Sequence, residues 1–175
     1  GPPEPKMVIN ALNSGASCFM ADFEDALAPS WDQVLQGQET LKQAIRRTLV
    51  HQDPQTGRRY ALEDRTAVLL MRPRGLHLPE LHLSLAGRPL PAALVDAGLY
   101  LFHNAKELLA RGSGPYLYLP KLEHHAEAQW WNQVLLHLER TLDLPLGCIR
   151  VTVLIETLPA AFQMDEILFA LQDRA

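Results

Sequence analysis

The chain has 175 residues, 47% of them hydrophobic and 21% charged, a balance that supports one core or two small ones and excludes a disordered chain. Sixteen Lys and Arg against twenty Asp and Glu give a net charge of −4, so no basic surface is available to hold a nucleic-acid backbone. A mean hydropathy of −0.07, with no apolar run of bilayer length, excludes a membrane-spanning helix.

The opening Gly1-Pro2-Pro3-Glu4-Pro5-Lys6 lacks the apolar centre of a signal peptide and reads as the middle of a longer chain. Residues 6–16 place Val8, Ile9, Ala11 and Leu12 at helical spacing, predicting a short helix that ends at Gly15. The compact apolar run 17–21 is a strand candidate closing on Asp22-Phe23-Glu24-Asp25. Past the Ala28-Pro29-Ser30 break, 31–50 returns to helical spacing with one interruption at Gly37, and 51–63 suit a small hairpin centred on Thr56-Gly57. A second strand, 66–71, stops at Arg72-Pro73-Arg74-Gly75, and 81–89 suggest another hairpin. A long helix over 92–110 is capped by Gly112, and a third strand, 116–119, ends at Pro120-Lys121. An amphipathic helix over 124–142 precedes a fourth strand, 149–155, which ends at Glu156-Thr157, and a single final helix is expected over 159–171.

Each strand is a near-continuous apolar run, which predicts burial on both faces and a parallel sheet under helical cover. Polar groups stand at the C-terminal end of all four: Asp22, Glu24 and Asp25, then Arg72 and Arg74, then Lys121, then Glu156. That edge is where parallel α/β folds bind ligands. The expected fold class is therefore α/β, a partial TIM (β/α)₈ barrel of about four parallel strand-helix units spanning 1–175. A free-standing four-stranded α/β sheet is the alternative.

If the first strand continues through its acidic tip, Asp22 and Glu24 share one face and Asp25 takes the other; Arg72 and Arg74 repeat that arithmetic on the next strand. Glu24 can then hold Arg72 in a bidentate fork with donors left for a substrate oxygen, or these ions simply pair at a rim. Glu156 follows Val151-Thr152-Val153-Leu154-Ile155 with no charged residue between and must be paired, protonated or bound to a cation. Glu156 with Asp22 or Glu24 is the start of a Mg²⁺ site, though one clear ligand is a weak signal. The seven histidines show no zinc spacing and read as surface or helix-end residues, and Trp130-Trp131 as one rim and one core residue. Cys18 and Cys148 read as two buried, reduced thiols. No serine has a nucleophile-elbow context.

Seven strings, taken in order, carry a resemblance. They are Met7-Val8-Ile9-Asn10-Ala11-Leu12-Asn13; Phe19-Met20-Ala21-Asp22-Phe23-Glu24-Asp25; Arg72-Pro73-Arg74-Gly75-Leu76-His77; Gly112-Ser113-Gly114-Pro115-Tyr116 with Leu119-Pro120-Lys121; and Leu154-Ile155-Glu156-Thr157-Leu158-Pro159 with Met164-Asp165-Glu166-Ile167-Leu168. Together they resemble malate synthase of the A type over essentially the whole chain. The resemblance implies a (β/α)₈ barrel that condenses glyoxylate with acetyl-CoA and water to malate and CoA, with Mg²⁺, in the glyoxylate cycle. It implies that Arg72 is the catalytic arginine, that Glu156 ligates Mg²⁺, and that Asp22 and Glu24 orient the metal's water shell and the arginine. A guanidinium is a poor base, so Arg72 is read as the enolate stabiliser. The family's second metal ligand, and the acid that exchanges the methyl proton, fall beyond residue 175 in the resemblance, so the chain is expected not to turn over alone.

Two other readings stand beside it: another CoA-thioester or 2-oxo-acid lyase or aldolase of the same barrel superfamily, and a non-catalytic barrel remnant. The partners expected are the small molecules glyoxylate and acetyl-CoA, with no nucleic acid and no membrane. The compartment expected is the cytoplasm, or the peroxisome or glyoxysome in a eukaryote. Neither the CoA contacts nor the oligomeric state is legible in the pattern.

Overall fold

Secondary structure follows the apolar periodicity closely along residues 1–175, all of which the computed structural model describes. In chain order the first elements are α1 (Pro5–Leu12), β1 (Cys18–Asp22), α2 (Trp31–Ile45), and the hairpin β2 (Val50–Gln52) with β3 (Arg59–Ala61). Then come β4 (Val68–Arg72), the hairpin β5 (Pro79–Leu85) with β6 (Arg88–Pro91), and α3 (Ala92–Ala110). The last are β7 (Tyr116–Leu119), α4 (His125–Thr141), β8 (Arg150–Val153), α5 (Leu158–Ala161) and α6 (Met164–Ala170). The chain enters α2 through Ser30, whose side chain accepts from the Gln33 amide, and α4 through a capping box formed by His124 and Glu127.

The major sheet has the order β1-β4-β7-β8, every pair parallel, with each crossover carrying a helix. Sequential strands are therefore spatial neighbours and all four C-terminal ends lie along one edge, the arrangement of consecutive (β/α) barrel units. Register places Asp22 directly opposite Arg72 at the end of β1 and β4.

Burial is one-sided, which corrects the expectation of two buried faces. Phe19, Ala21, Leu69, Met71, Leu117, Leu119 and Val151 point into the helical layer and join one core with Tyr100, Trp131 and Leu135. The alternate residues Cys18, Val68, Arg150 and Thr152 are exposed, and Met20, Leu70, Tyr116 and Tyr118 only half-buried. Continuous apolar runs do not distinguish burial under helices from burial inside a closed barrel. Here helices cover one face, and the other is the concave side that a full ring of strands would enclose. Cys18 is accordingly an exposed thiol, not a buried one, and Cys148 is half-buried; both are free.

Two further details depart from the periodicity. The final helix breaks at Phe162-Gln163 into α5 and α6. Gly37 does not interrupt α2; it is the contact point of that helix, where an added Cβ would lie 2.8 Å from Pro3 Cγ and 2.9 Å from the ring of the fully buried Phe23. Gly37→Ala should therefore destabilise the fold by about 1–2 kcal/mol in urea denaturation, because overpacking outweighs the better helix propensity of alanine.

Candidate active site

β1 ends on Asp22, and the chain turns at once. Asp22 Oδ1 accepts from the amides of Glu24 (2.9 Å) and Asp25 (3.2 Å), folding the acidic tip into a side-chain-closed turn. The strand parity that would put Asp22 and Glu24 on one face does not apply past this point. Glu24 is not the partner of Arg72: its carboxylate instead accepts from the backbone amide of Gly75. Arg72 Nη1 meets Asp22 Oδ2 at 3.4 Å, and Nη2 meets Asp25 Oδ2 at 2.6 Å and Glu156 Oε1 at 3.5 Å. The two residues that face each other across β1 and β4, Asp22 and Arg72, are both 5% exposed. Arg72 Nε is buried and has no hydrogen-bond partner.

The third and fourth strands close the rim. Lys121 adopts a left-handed backbone (φ 56°), which presents its amide to Glu156 Oε1 at 3.0 Å while its ammonium reaches Glu156 Oε2 at 3.1 Å. The same ammonium lies 3.8 Å from Asp25 Oδ2. The hydrogen bond to Glu156 holds the Lys121 ammonium above the ordinary lysine value. Asp22 at the end of β1, Arg72 at the end of β4 and Glu156 just after β8 thus meet through a single guanidinium. Four carboxylates (Asp22, Glu24, Asp25 and Glu156) surround two cations, Arg72 and Lys121, leaving a formal surplus of negative charge at the rim.

Arg74 leaves this constellation. Its guanidinium turns back to α3, where Asp96 Oδ2 accepts from its amide and from Nε at 2.9 Å each and Asp96 Oδ1 accepts from Nη2 at 2.8 Å. Glu80 Oε2 adds a second carboxylate at 3.0 Å from Nη2. Burial works against the Arg74 charge, but Asp96 and Glu80 outweigh it and raise its pKa. Burial likewise pushes Glu80 up, and hydrogen bonds from the His82 amide and ring together with Arg74 bring it below the carboxylate range. Neither Asp96 nor Glu80 stands out in the sequence as a site residue. One signal was available for Asp96: it shares the apolar helical face of Ala92, Ala93, Ala97 and Tyr100, where an acid must be paired.

Comparison with known proteins bears on this geometry. The family model described as the malate synthase TIM barrel domain matches residues 68–175, from the first residue of β4 to the end of the chain. This chain belongs to the malate synthase family. It is 55% identical over 175 residues to a malate synthase of Myxococcus xanthus and 53% identical over 173 residues to malate synthase A of Escherichia coli. A glyoxysomal malate synthase of Cucumis sativus is 53% identical over 178 aligned residues. These alignments take in 99–100% of this chain but only 31–32% of each relative, so the chain spans about a third of the length of the curated malate synthases it matches. The region before residue 68 lies outside the family match, yet its strand β1 pairs in register with β4, and Asp22 at its end and Asp25 in the turn that follows both contact Arg72.

Proposed function

We propose that the full-length protein carrying these residues condenses glyoxylate with acetyl-CoA and water to give malate and CoA in the glyoxylate cycle. In this reading residues 1–175 form one partial (β/α)₈ barrel that supplies part of the active site. The observation that carries it is the convergence of Asp22, Arg72 and Glu156 at one rim, in a chain more than half identical to proteins named malate synthase.

The reaction requires loss of a weakly acidic methyl proton from the thioester, followed by attack of the resulting enolate on an aldehyde. Arg72 is too basic to accept that proton. Its role is to hold the developing negative charge on the enolate oxygen. Asp22 and Asp25 fix the two Nη atoms in advance, so little reorganisation accompanies charge development. Glu24 acts at one remove, securing the Gly75 amide and with it the turn that follows Arg72.

Mg²⁺ fits this rim in kind, because the donors are hard carboxylate oxygens with surplus negative charge. It does not find a complete coordination sphere here, since no three ligand-type side chains converge on one point. Glu156 is the residue of this chain that would hold the ion, which requires the Lys121 ammonium to release Oε2. A bound Mg²⁺ would polarise the glyoxylate aldehyde as a Lewis acid. The two free thiols suit a reducing compartment, the cytoplasm or, in a plant, the glyoxysome. No helix is long and apolar enough to cross a membrane.

The test is release of CoA from acetyl-CoA with glyoxylate and Mg²⁺. The full-length protein should turn over at an ordinary enzymatic rate, about 1–1,000 s⁻¹. Residues 1–175 alone should give no measurable turnover, because they span only about a third of the length of the malate synthases they match and bring no three metal-ligating side chains together. A full-length protein that releases no CoA overturns the assignment. Enzyme-like turnover by residues 1–175 alone overturns the claim that the chain is incomplete as a catalyst.

A further inference from the structure

We infer that Asp96 is a positioning residue for Arg72: by clamping Arg74 it holds the turn that carries the Arg72 guanidinium into the rim. The inference rests on the role proposed for Arg72 above and adds a residue remote from the acidic tip of β1.

The turn 72–75 is held at three backbone groups by partners from other parts of the fold. The Arg72 carbonyl accepts from the Phe23 amide at 3.0 Å, tying it to the β1 side. Pro73 has no N–H and a restricted φ. The Arg74 amide donates to Asp96 at 2.9 Å, and the Gly75 amide donates to Glu24. Gly75 cannot be replaced without displacing its neighbours, because an added Cβ would lie 2.6 Å from the His77 ring. Two consecutive amides are thus gripped by carboxylates from opposite sides of the turn, one from α3 and one from the loop after β1.

Asp96 is fully buried and Arg74 is 4% exposed. A buried ion pair contributes little net stability relative to an apolar pair of the same volume, so stability alone is a weak reason for it. What an apolar pair would not do is bind a backbone amide two residues after Arg72. Asp96 makes three hydrogen bonds to Arg74, one of them to the main chain, and it is the only side chain of α3 bonded to this turn. Loss of that grip leaves the guanidinium free to leave Asp22 and Asp25 without breaking any strand pairing.

The experiment uses the full-length protein and Asp96→Asn, which keeps the side-chain shape but loses the charge and one of the two oxygens that accept from Arg74, setting an NH2 group against an Arg74 N–H. The expected result is a fall in kcat of at least about tenfold with KM for acetyl-CoA changed by less than about twofold. In an Arg72→Lys background the same substitution should cost less than about twofold more, since residues acting through one group are non-additive. Hydrogen exchange of the Arg72 guanidinium, read by NMR, should accelerate in folded Asp96→Asn. Unchanged kcat and exchange in a folded variant overturn the inference. So does an equal loss in the Arg72→Lys background, which would make Asp96 structural only. If Asp96→Asn does not fold, Arg74→Lys replaces it, because lysine keeps the charge but lacks the planar fork that donates to Asp96 from both Nε and Nη2; the same outcomes apply. A wild-type protein without condensation activity counts against the proposed reaction, and the exchange measurement then still decides the role of Asp96.

Discussion

Arg72→Lys in the full-length protein is expected to lower kcat by about a hundred- to a thousandfold, the range measured when one preorganised oxyanion donor is lost. Lysine retains the positive charge between Asp22, Asp25 and Glu156 but offers a point charge where the guanidinium offers a planar fork. It cannot hold Asp22 with one nitrogen and Asp25 and Glu156 with another, the arrangement that fixes the positive charge in place. KM for acetyl-CoA should move little, since the lost interaction grows only as the enolate forms. Steady-state kinetics with both substrates varied check this. A variant that keeps wild-type kcat removes Arg72 from the chemistry, and with it the reason to read the rim as an active site.

The largest expected effect on stability lies at the opposite end of the sheet. Glu139 on α4 is fully buried, and both of its oxygens are taken by Arg174, at 2.7 and 2.9 Å. Glu139 Oε1 also accepts from the Ile149 amide at 3.0 Å, and Arg174 donates in addition to Asn132 Oδ1 at 2.6 Å and to the Ile149 carbonyl at 3.2 Å. The pair thereby staples α4 to the start of β8 and to the chain end. Arg174→Ala leaves a buried carboxylate without its cation and should cost about 3–5 kcal/mol, read from the urea midpoint at pH 7.

Acid should produce the same loss gradually. Burial alone would raise the Glu139 carboxyl, but Arg174 and the Ile149 and Gly147 amides overcome it and hold the group below its ordinary value of 4.5. The unfolded chain therefore takes up this proton first as pH falls. The stabilisation is complete above the ordinary carboxylate value and disappears as pH drops through the lower folded value. Glu139→Gln should flatten that part of the stability–pH curve, and an unchanged curve would show that other acids govern acid unfolding.

Much of this was readable from residue order alone. The helical spacing over 92–110 returned α3 residue for residue, and the turn chemistry at Thr56-Gly57 returned the β2–β3 hairpin. The sequence also placed Asp22, Arg72, Lys121 and Glu156 at four successive strand ends, and the structure brings them into contact. The pairings were not readable. Strand parity assigned Glu24 to Arg72 because it assumed an extended chain through 22–25, whereas the Asp22 carboxylate closes a turn there and delivers Asp25 instead. The same parity set Arg74 beside Arg72, whereas a buried acid on α3 draws it away.

By itself, then, the sequence determined where the strands and all helices but the last form, that the strands of the main sheet run parallel, and which ionisable groups stand at their tips, because local periodicity and turn chemistry act over a few residues. Tertiary structure alone decided which carboxylate meets which cation, Asp96 and Glu139 included, and that one face of the sheet lies open. Those outcomes depend on contacts spanning 22 to 84 residues of chain, or on which surfaces the helices happen to cover, and no local pattern encodes either.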